Sequence, residues 1–331
     1  MEKMTIYDVA KLANVSPSTV SRVVNGKANV RDKTKRRVLE VLNDSRFVPD
    51  ETARGLASRT TKLIGILISD LRTTHHADGV YLIQRELSEL GYSCLIYNTG
   101  IEEEEQSRAI RMISQRHADA AILMGSIYQN DAVKNAIQND MPDKPVILCN
   151  GYLAGENIYG LISDEMEGVY GCVRLLKKQG RRNIAFLINR VTPSNSEKRE
   201  GFERAVRDFY PGTAPNVIIT GDVDEEVHEA TCGLMKREPL IDGIIYAEDR
   251  MAFIGLHALG EAEIPVPKRV SVIGINNSRL AQYSIPSLTS LDNMLYDMSM
   301  TACRNLCSLL QGERVPHKMM IYSEIVERAS T

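Results

Sequence analysis

The 331-residue sequence has no apolar run long enough to cross a bilayer, and residues 1–15 alternate polar and apolar types without the continuous apolar segment of a secretory signal. These two absences predict a protein that stays in the cytoplasm and has no membrane partner. Cysteine is sparse. The six present, Cys94, Cys149, Cys172, Cys232, Cys303 and Cys307, lack the paired short spacings of a disulfide framework. Cys303 and Cys307 stand one helical turn apart with His317 nearby, but a zinc site wants a second close pair, so they read as buried thiols and no metal is expected. Neither a Gly-rich phosphate loop nor a nucleophile elbow occurs, so neither enzyme activity nor a cofactor is expected.

What is there is unevenly charged. The net charge of −3 hides a head, residues 1–62, with thirteen Lys or Arg against seven Asp or Glu, which leaves −9 for the remainder. A basic head on an acidic body suits a head that meets a polyanion, the alternative being an ordinary solvated face.

The head reads as short helices with tight joints. Thr5 and Asp8 have capping-box spacing ahead of the stripe Ile6, Val9, Ala10 and Ala13, which makes a helix ending near Asn14. A second start follows at once: Ser16 caps, Pro17 takes the first helical position, and Val20, Val23 and Val24 face inward up to Asn25-Gly26. A third helix over 33–43, with Val38, Val41 and Leu42 on one face, closes a small core. The second helix leaves Ser16, Ser18, Thr19, Ser21, Arg22 and Asn25 around its valine stripe, a set suited to phosphate oxygens and base edges. Of these only Arg22 can contact a guanine through two hydrogen bonds, unless it is merely a surface cation.

Beyond 49–60, a segment too short and too glycine-burdened to be helical alone, the pattern changes. Strand-like apolar runs at 63–69, 93–98, 120–124, 146–149, 159–163, 184–188, 217–220, 243–247 and 270–274 alternate with helical patterns such as 80–90, 103–115, 165–178, 196–208, 225–236 and 249–259. Alternation of this kind predicts an α/β fold of parallel sheets covered on both faces, and nine strands with a pause at 152–158 predict two lobes. The fold class is thus an all-α helix-turn-helix domain followed by a two-lobed α/β core.

The runs Thr5-Ile6-Tyr7-Asp8-Val9-Ala10 and Ser18-Thr19-Val20-Ser21-Arg22-Val23, with Val30, Thr34, Ala53-Arg54-Gly55-Leu56-Ala57, Gly201-Phe202 and Val272-Ile273-Gly274, resemble the signature of the LacI/GalR (lactose-repressor) family of transcription regulators over essentially the whole chain. The resemblance implies a homodimer on a near-palindromic operator, most plainly a repressor, with the second helix in the major groove. Residues 49–60 would form a hinge helix in the minor groove, with Leu56 wedged between base pairs. Thr5, Tyr7, Ser16, Pro17, Ser18, Thr19, Ser21, Arg22, Asn25, Asn29, Val30, Thr34, Ala53 and Leu56 would form the DNA surface, Arg22 carrying most of the direct readout and Pro17 and Ser18 mainly fit.

For the core, the resemblance implies a periplasmic-binding-protein-like pair of lobes, 61–162 plus 292–326 and 163–291, behind a head of 1–48. An effector would bind between the lobes against Asp70, Arg72, His75, Tyr128, Lys198, Arg199, Glu248 and Asn276. Lys198 stands where the family has arginine, Glu248 where Asn or Thr is commoner, and Asn276 where an aspartate is usual. Lys198, Arg199 and Arg72 together would suit an anionic ligand such as a sugar phosphate. His75-His76 is expected in a loop. Tyr296-Asp297 and Arg304 resemble the helix by which some members answer to a phosphorylated carrier protein, although Met294, Met298, Leu306 and Leu309 also fit core packing. No heptad tail follows the last strand-like run at 318–326, so dimers rather than tetramers are expected. The core alone would equally suit a solute-binding protein, against which the basic head and the absent signal peptide count.

Overall fold

A computed structural model describes residues 4–24, 30–44 and 60–331, and the chain divides into two units, Met1–Thr61 and Lys62–Thr331. Each is built around its own apolar interior.

In the first unit, helices α1 (Ile6–Leu12), α2 (Pro17–Val24) and α3 (Asp32–Asp44) enclose Val9, Ala10, Ala13, Val20, Val23 and Val38. The capping box forms as its spacing predicts. The Asp8 amide donates to the Thr5 hydroxyl at 3.4 Å, and the Thr5 amide donates to the Asp8 carboxylate at 2.8 Å. Asn14 turns the chain between α1 and α2 at φ 48°, a left-handed conformation that asparagine tolerates better than most side chains.

The second unit holds two six-stranded sheets. The first contains β1 (Leu63–Ile68), β2 (Ser93–Asn98), β3 (Ala120–Met124), β4 (Val146–Cys149), β5 (Ile158–Ser163) and β11 (Lys318–Ile321), ordered β11-β5-β4-β3-β1-β2 and parallel throughout. The second contains β6 (Ile184–Ile188), β7 (Asn216–Ile219), β8 (Gly243–Tyr246), β9 (Ser271–Ile275), β10 (Thr289–Asp292) and β12 (Glu324–Val326), ordered β12-β10-β9-β8-β6-β7, with only β12 antiparallel. Every residue of the interior strands β3 and β6 is buried, as covering helices on both faces require. Around the first sheet lie α4 (Thr74–Glu89), α5 (Glu103–Gln115), α6 (Asp131–Asp140) and α12 (Leu295–Leu310), and around the second α7 (Glu165–Lys178), α8 (Pro193–Phe209), α9 (Asp224–Arg237), α10 (Asp249–Glu261) and the short α11 (Arg279–Tyr283). Gly201 lets α8 press against α7, because a side chain there would strike the Met166 carbonyl.

Two expectations are corrected. The run at 318–326 is two strands in different sheets: Val326 pairs with Ser290 of β10, and Ser330 then donates to the Val272 carbonyl at 2.6 Å, so the chain end belongs with the second sheet rather than the first lobe. The lobes are therefore joined by three adjacent crossings, after β5, after β10 and after β11. His75 and His76 lie in the first turn of α4 instead of a loop, because helical bonding begins with the Ala77 amide on the Thr73 carbonyl at 2.9 Å.

Candidate functional site

Helix α2 begins where the Ser16 hydroxyl accepts from the Thr19 amide at 3.2 Å. Val20 and Val23 are drawn into the core, so the opposite side presents Ser16, Ser18 and Arg22 to solvent, with Pro17, Thr19 and Ser21 half-buried. The Ser16 hydroxyl also lies 2.8 Å from that of Ser18 and 2.9 Å from that of Thr19, which fixes a small polar corner at the helix start. Arg22 has no hydrogen-bond or ion-pair partner among the described residues. Thr5 and Tyr7 are exposed, while Val30 and Thr34 are half-buried. Asn25, Asn29, Ala53 and Leu56, with almost all of the expected hinge, lie outside the described residues.

In the second unit a cleft of about 970 Å³ opens between the sheets. It lies where the strands of both lobes end, the position in which open parallel sheets bind ligands. Asp70, Arg72, His75, Lys198, Glu248 and Asn276 all line it. Two of the expected residues do not. Tyr128 is fully buried in the first lobe, its hydroxyl 2.8 Å from that of Thr99, and burial pushes its phenol well up. Arg199 sits on the outer face of α8 and pairs with Glu203 at 2.6 Å, since a helix that points Lys198 inward turns the next residue by about 100°.

The cations that do reach the cleft are already engaged. Lys198 is 4% exposed, and its ammonium donates to Glu165 Oε1 at 3.3 Å, Asn195 Oδ1 at 3.4 Å and the Ala247 carbonyl at 3.3 Å. Arg72 donates to Asp70 at 2.8 Å, Arg190 to Asp222 at 2.9 Å, and Arg250 pairs with Asp224. The expected cationic cluster for an anionic ligand is therefore absent: one member faces away and the other two are neutralised by adjacent carboxylates.

Glu165, which sequence reasoning missed, is the centre of the inner wall. It stands just past the first crossing, 1% exposed, and its Oε1 accepts from Lys198, from Asn293 at 3.2 Å and from Asn150 at 3.5 Å. Asn293 comes from the second crossing and also donates to Asn276 at 2.9 Å. One buried carboxylate thus ties two interlobe crossings to the cleft. His75 lies on the opposite lobe, and burial, with His76 and Lys198 nearby, holds its imidazole down to about 3, so it is neutral.

With this geometry in hand, residues 5–50 match the family model "Bacterial regulatory proteins, lacI family", and residues 173–331 match "Periplasmic binding protein-like domain". An "HTH-type transcriptional regulator" of Lachnoclostridium phytofermentans is 33% identical over 99% of both chains. The chain belongs to the LacI family. "Catabolite control protein A" of Priestia megaterium is 28% identical, again over 99% of both chains. Among solved structures, a lac repressor dimer bound to operator and an anti-inducer superposes with a TM-score of 0.89 at 22% identity, covering 99% of each chain, a likeness of fold. This LacI-family chain is accordingly a transcriptional regulator with an N-terminal DNA-binding domain and an effector-binding core.

Proposed function

We propose that this LacI-family chain represses transcription by binding a near-palindromic operator as a homodimer in the cytoplasm, and that a small polar molecule in the interlobe cleft changes its hold on DNA. The observation that carries the reading is α2, which turns hydroxyls and an Arg22 without a partner among the described residues outward from a basic unit whose described valines pack into its core. Ser16, Pro17, Ser18, Thr19, Ser21 and Arg22 would face the major groove, Thr5, Tyr7, Asn25, Asn29, Val30 and Thr34 the flanking backbone, and Ala53 and Leu56 the minor groove. Ligand closure of the lobes would reach the DNA-binding unit as a shift between two states of the core. Gel shifts against fragments of the source genome test this directly. Retardation of a few fragments at physiological salt is expected, with half-sites about one helical turn apart; a protein that ignores all duplex DNA at low salt overturns the proposal.

A second reading adds a protein partner. Helix α12 buries Met298, Ala302, Cys303 and Leu306 but leaves Tyr296, Asp297 and Arg304 exposed, a polar face suited to a phosphorylated carrier protein. Operator affinity raised by the phosphorylated carrier and not by the unmodified one would support it.

A further inference from the structure

Along the inner wall of the cleft most side-chain donors are taken, and buried acceptors are left over. Both amide hydrogens of Asn189 are committed, to Asp222 at 2.9 Å and Glu248 at 3.3 Å. Those of Asn195 go to Asn189 Oδ1 at 3.0 Å and the Arg190 carbonyl at 2.9 Å, and those of Asn293 to Glu165 and Asn276. All three ammonium hydrogens of Lys198 are taken by Glu165, Asn195 and Ala247. These bonds form one chain of contacts running from Glu248 through Asn189, Asn195, Lys198, Glu165 and Asn293 to Asn276.

What this chain lacks is a partner for two buried acceptor atoms. Glu165 Oε2 and Asn293 Oδ1 are buried on side chains 1% and 3% exposed and receive no hydrogen bond among the described residues. Both residues line the cleft. A buried acceptor left without a donor costs about 1–3 kcal/mol, so a bound molecule that supplies donors relieves a standing penalty. The charge balance points the same way. Each of Arg72, Arg190, Lys198 and Arg250 has its own carboxylate, whereas Glu248 lines the same space with only the Asn189 amide on it and no cation. Free amide hydrogens on Asn276 and Asn150 can meet a ligand oxygen, but they bring no charge with which to hold an anion.

We infer that the cleft takes a small polyhydroxylated molecule carrying an ammonium group, of the amino-sugar class, with its charge toward Glu248 and its hydroxyls toward Glu165 and Asn293. The same excess of acceptors ranks sugar phosphates last. The inference rests on the proposed effector role of this cleft and goes beyond it by fixing the sign of the ligand.

Calorimetry of the full chain at pH 6.5 with glucosamine, galactosamine and mannosamine, each beside its neutral parent hexose and the 6-phosphate of that parent, reads the sign. At least one amine is expected to bind about ten- to a hundredfold tighter than its parent, the weight of one hydrogen bond to a charged group, with the phosphate weakest. E248Q is expected to close most of that gap, by weakening the amine far more than its neutral parent. A parent or phosphate that binds as tightly as its amine overturns the inference, as does the failure of every amine to bind. Gel shifts on the same preparation separate the two levels: DNA binding with silent amines sinks only this inference, whereas loss of all duplex binding sinks the regulator reading beneath it.

Discussion

Helices α2 and α8 open in the same way and end in opposite chemistry. Ser16-Pro17 starts one and Thr192-Pro193 the other, each cap accepting a backbone amide three residues on, and each proline is followed five residues later by a cation, Arg22 and Lys198. Arg22 is exposed without a partner among the described residues, while Lys198 is buried and holds three acceptors. The local code of cap and proline therefore places the cation on the helix but does not say what it meets. The flanking pattern decides that. Valines at 20 and 23 pull the other face of α2 inward, whereas α8 lies across the cleft floor and drives Ser194, Asn195 and Lys198 into the protein. An exposed cation is free to serve a partner molecule; a buried one is fully occupied in holding the fold.

The sharpest way to break this contrast is to strand the buried cation. Glu165→Ala leaves the Lys198 ammonium in a buried site without its carboxylate, and loss of one member of such a pair costs about 3–5 kcal/mol. Chemical denaturation of the full chain should register that loss in the core transition. The double change Glu165→Gln with Lys198→Met should recover most of it, since a matched removal leaves no lone charge. If Glu165→Ala is as stable as the parent, the pair is not holding the crossings together and the contrast fails.

A buried acid with no ion pair among the described residues sharpens the comparison. Asp249, 1% exposed at the start of α10, accepts from the Ser278 amide and the Ser290 hydroxyl, each at 2.6 Å, yet burial pushes its carboxyl up to about 6. The folded state thus holds the proton more tightly than the unfolded chain, where the ordinary value is 3.8. The stabilisation from this group is complete below about pH 3.8 and is lost as pH rises through about 6, an effect of about 3 kcal/mol. Asp249→Asn should flatten that part of the stability profile between pH 4 and 7; an unchanged slope would assign it to other groups.

These contrasts also explain what the sequence could and could not disclose. Capping boxes, apolar periodicity and β-branched runs act over a few residues, and so the bounds of β2, β3, β4, β6, α5 and α7 were legible to the residue. Helix α6 was also within reach, because Asn130 caps it and Asp131 opens it, but its apolar stripe is short. Where a run spans a crossing, as at 318–326, local pattern merges two strands, since nothing in β propensity records that Ser323 turns the chain toward the other sheet. The cleft was legible as a place, at strand ends, but not as chemistry. Glu165 looked like one of several acids at a helix start, and Lys198 like a ligand-facing cation. Their mutual contact joins residues 33 positions apart in sequence, and only the packed structure shows that it uses up the lysine.

The exposed member of the comparison should behave oppositely to the buried one. Arg22→Ala removes a side chain with no described intramolecular partner, so the unfolding midpoint should move by no more than about 0.5 kcal/mol in equivalent stability. Its cost should fall instead on DNA, about 1–3 kcal/mol or roughly five- to a hundredfold in affinity, concentrated at one base pair per half-site if the guanidinium reads a guanine. Titrating the variant against the full operator and against single-base substitutions separates the two roles an exposed arginine can play. A loss confined to the cognate sequence, with the variant indifferent to substitution at that base pair, makes Arg22 a reader of sequence. Uniform weakening across all sequences, with a salt dependence shallower by about one counterion, reduces it to a phosphate contact and moves the readout to Pro17 and Ser18.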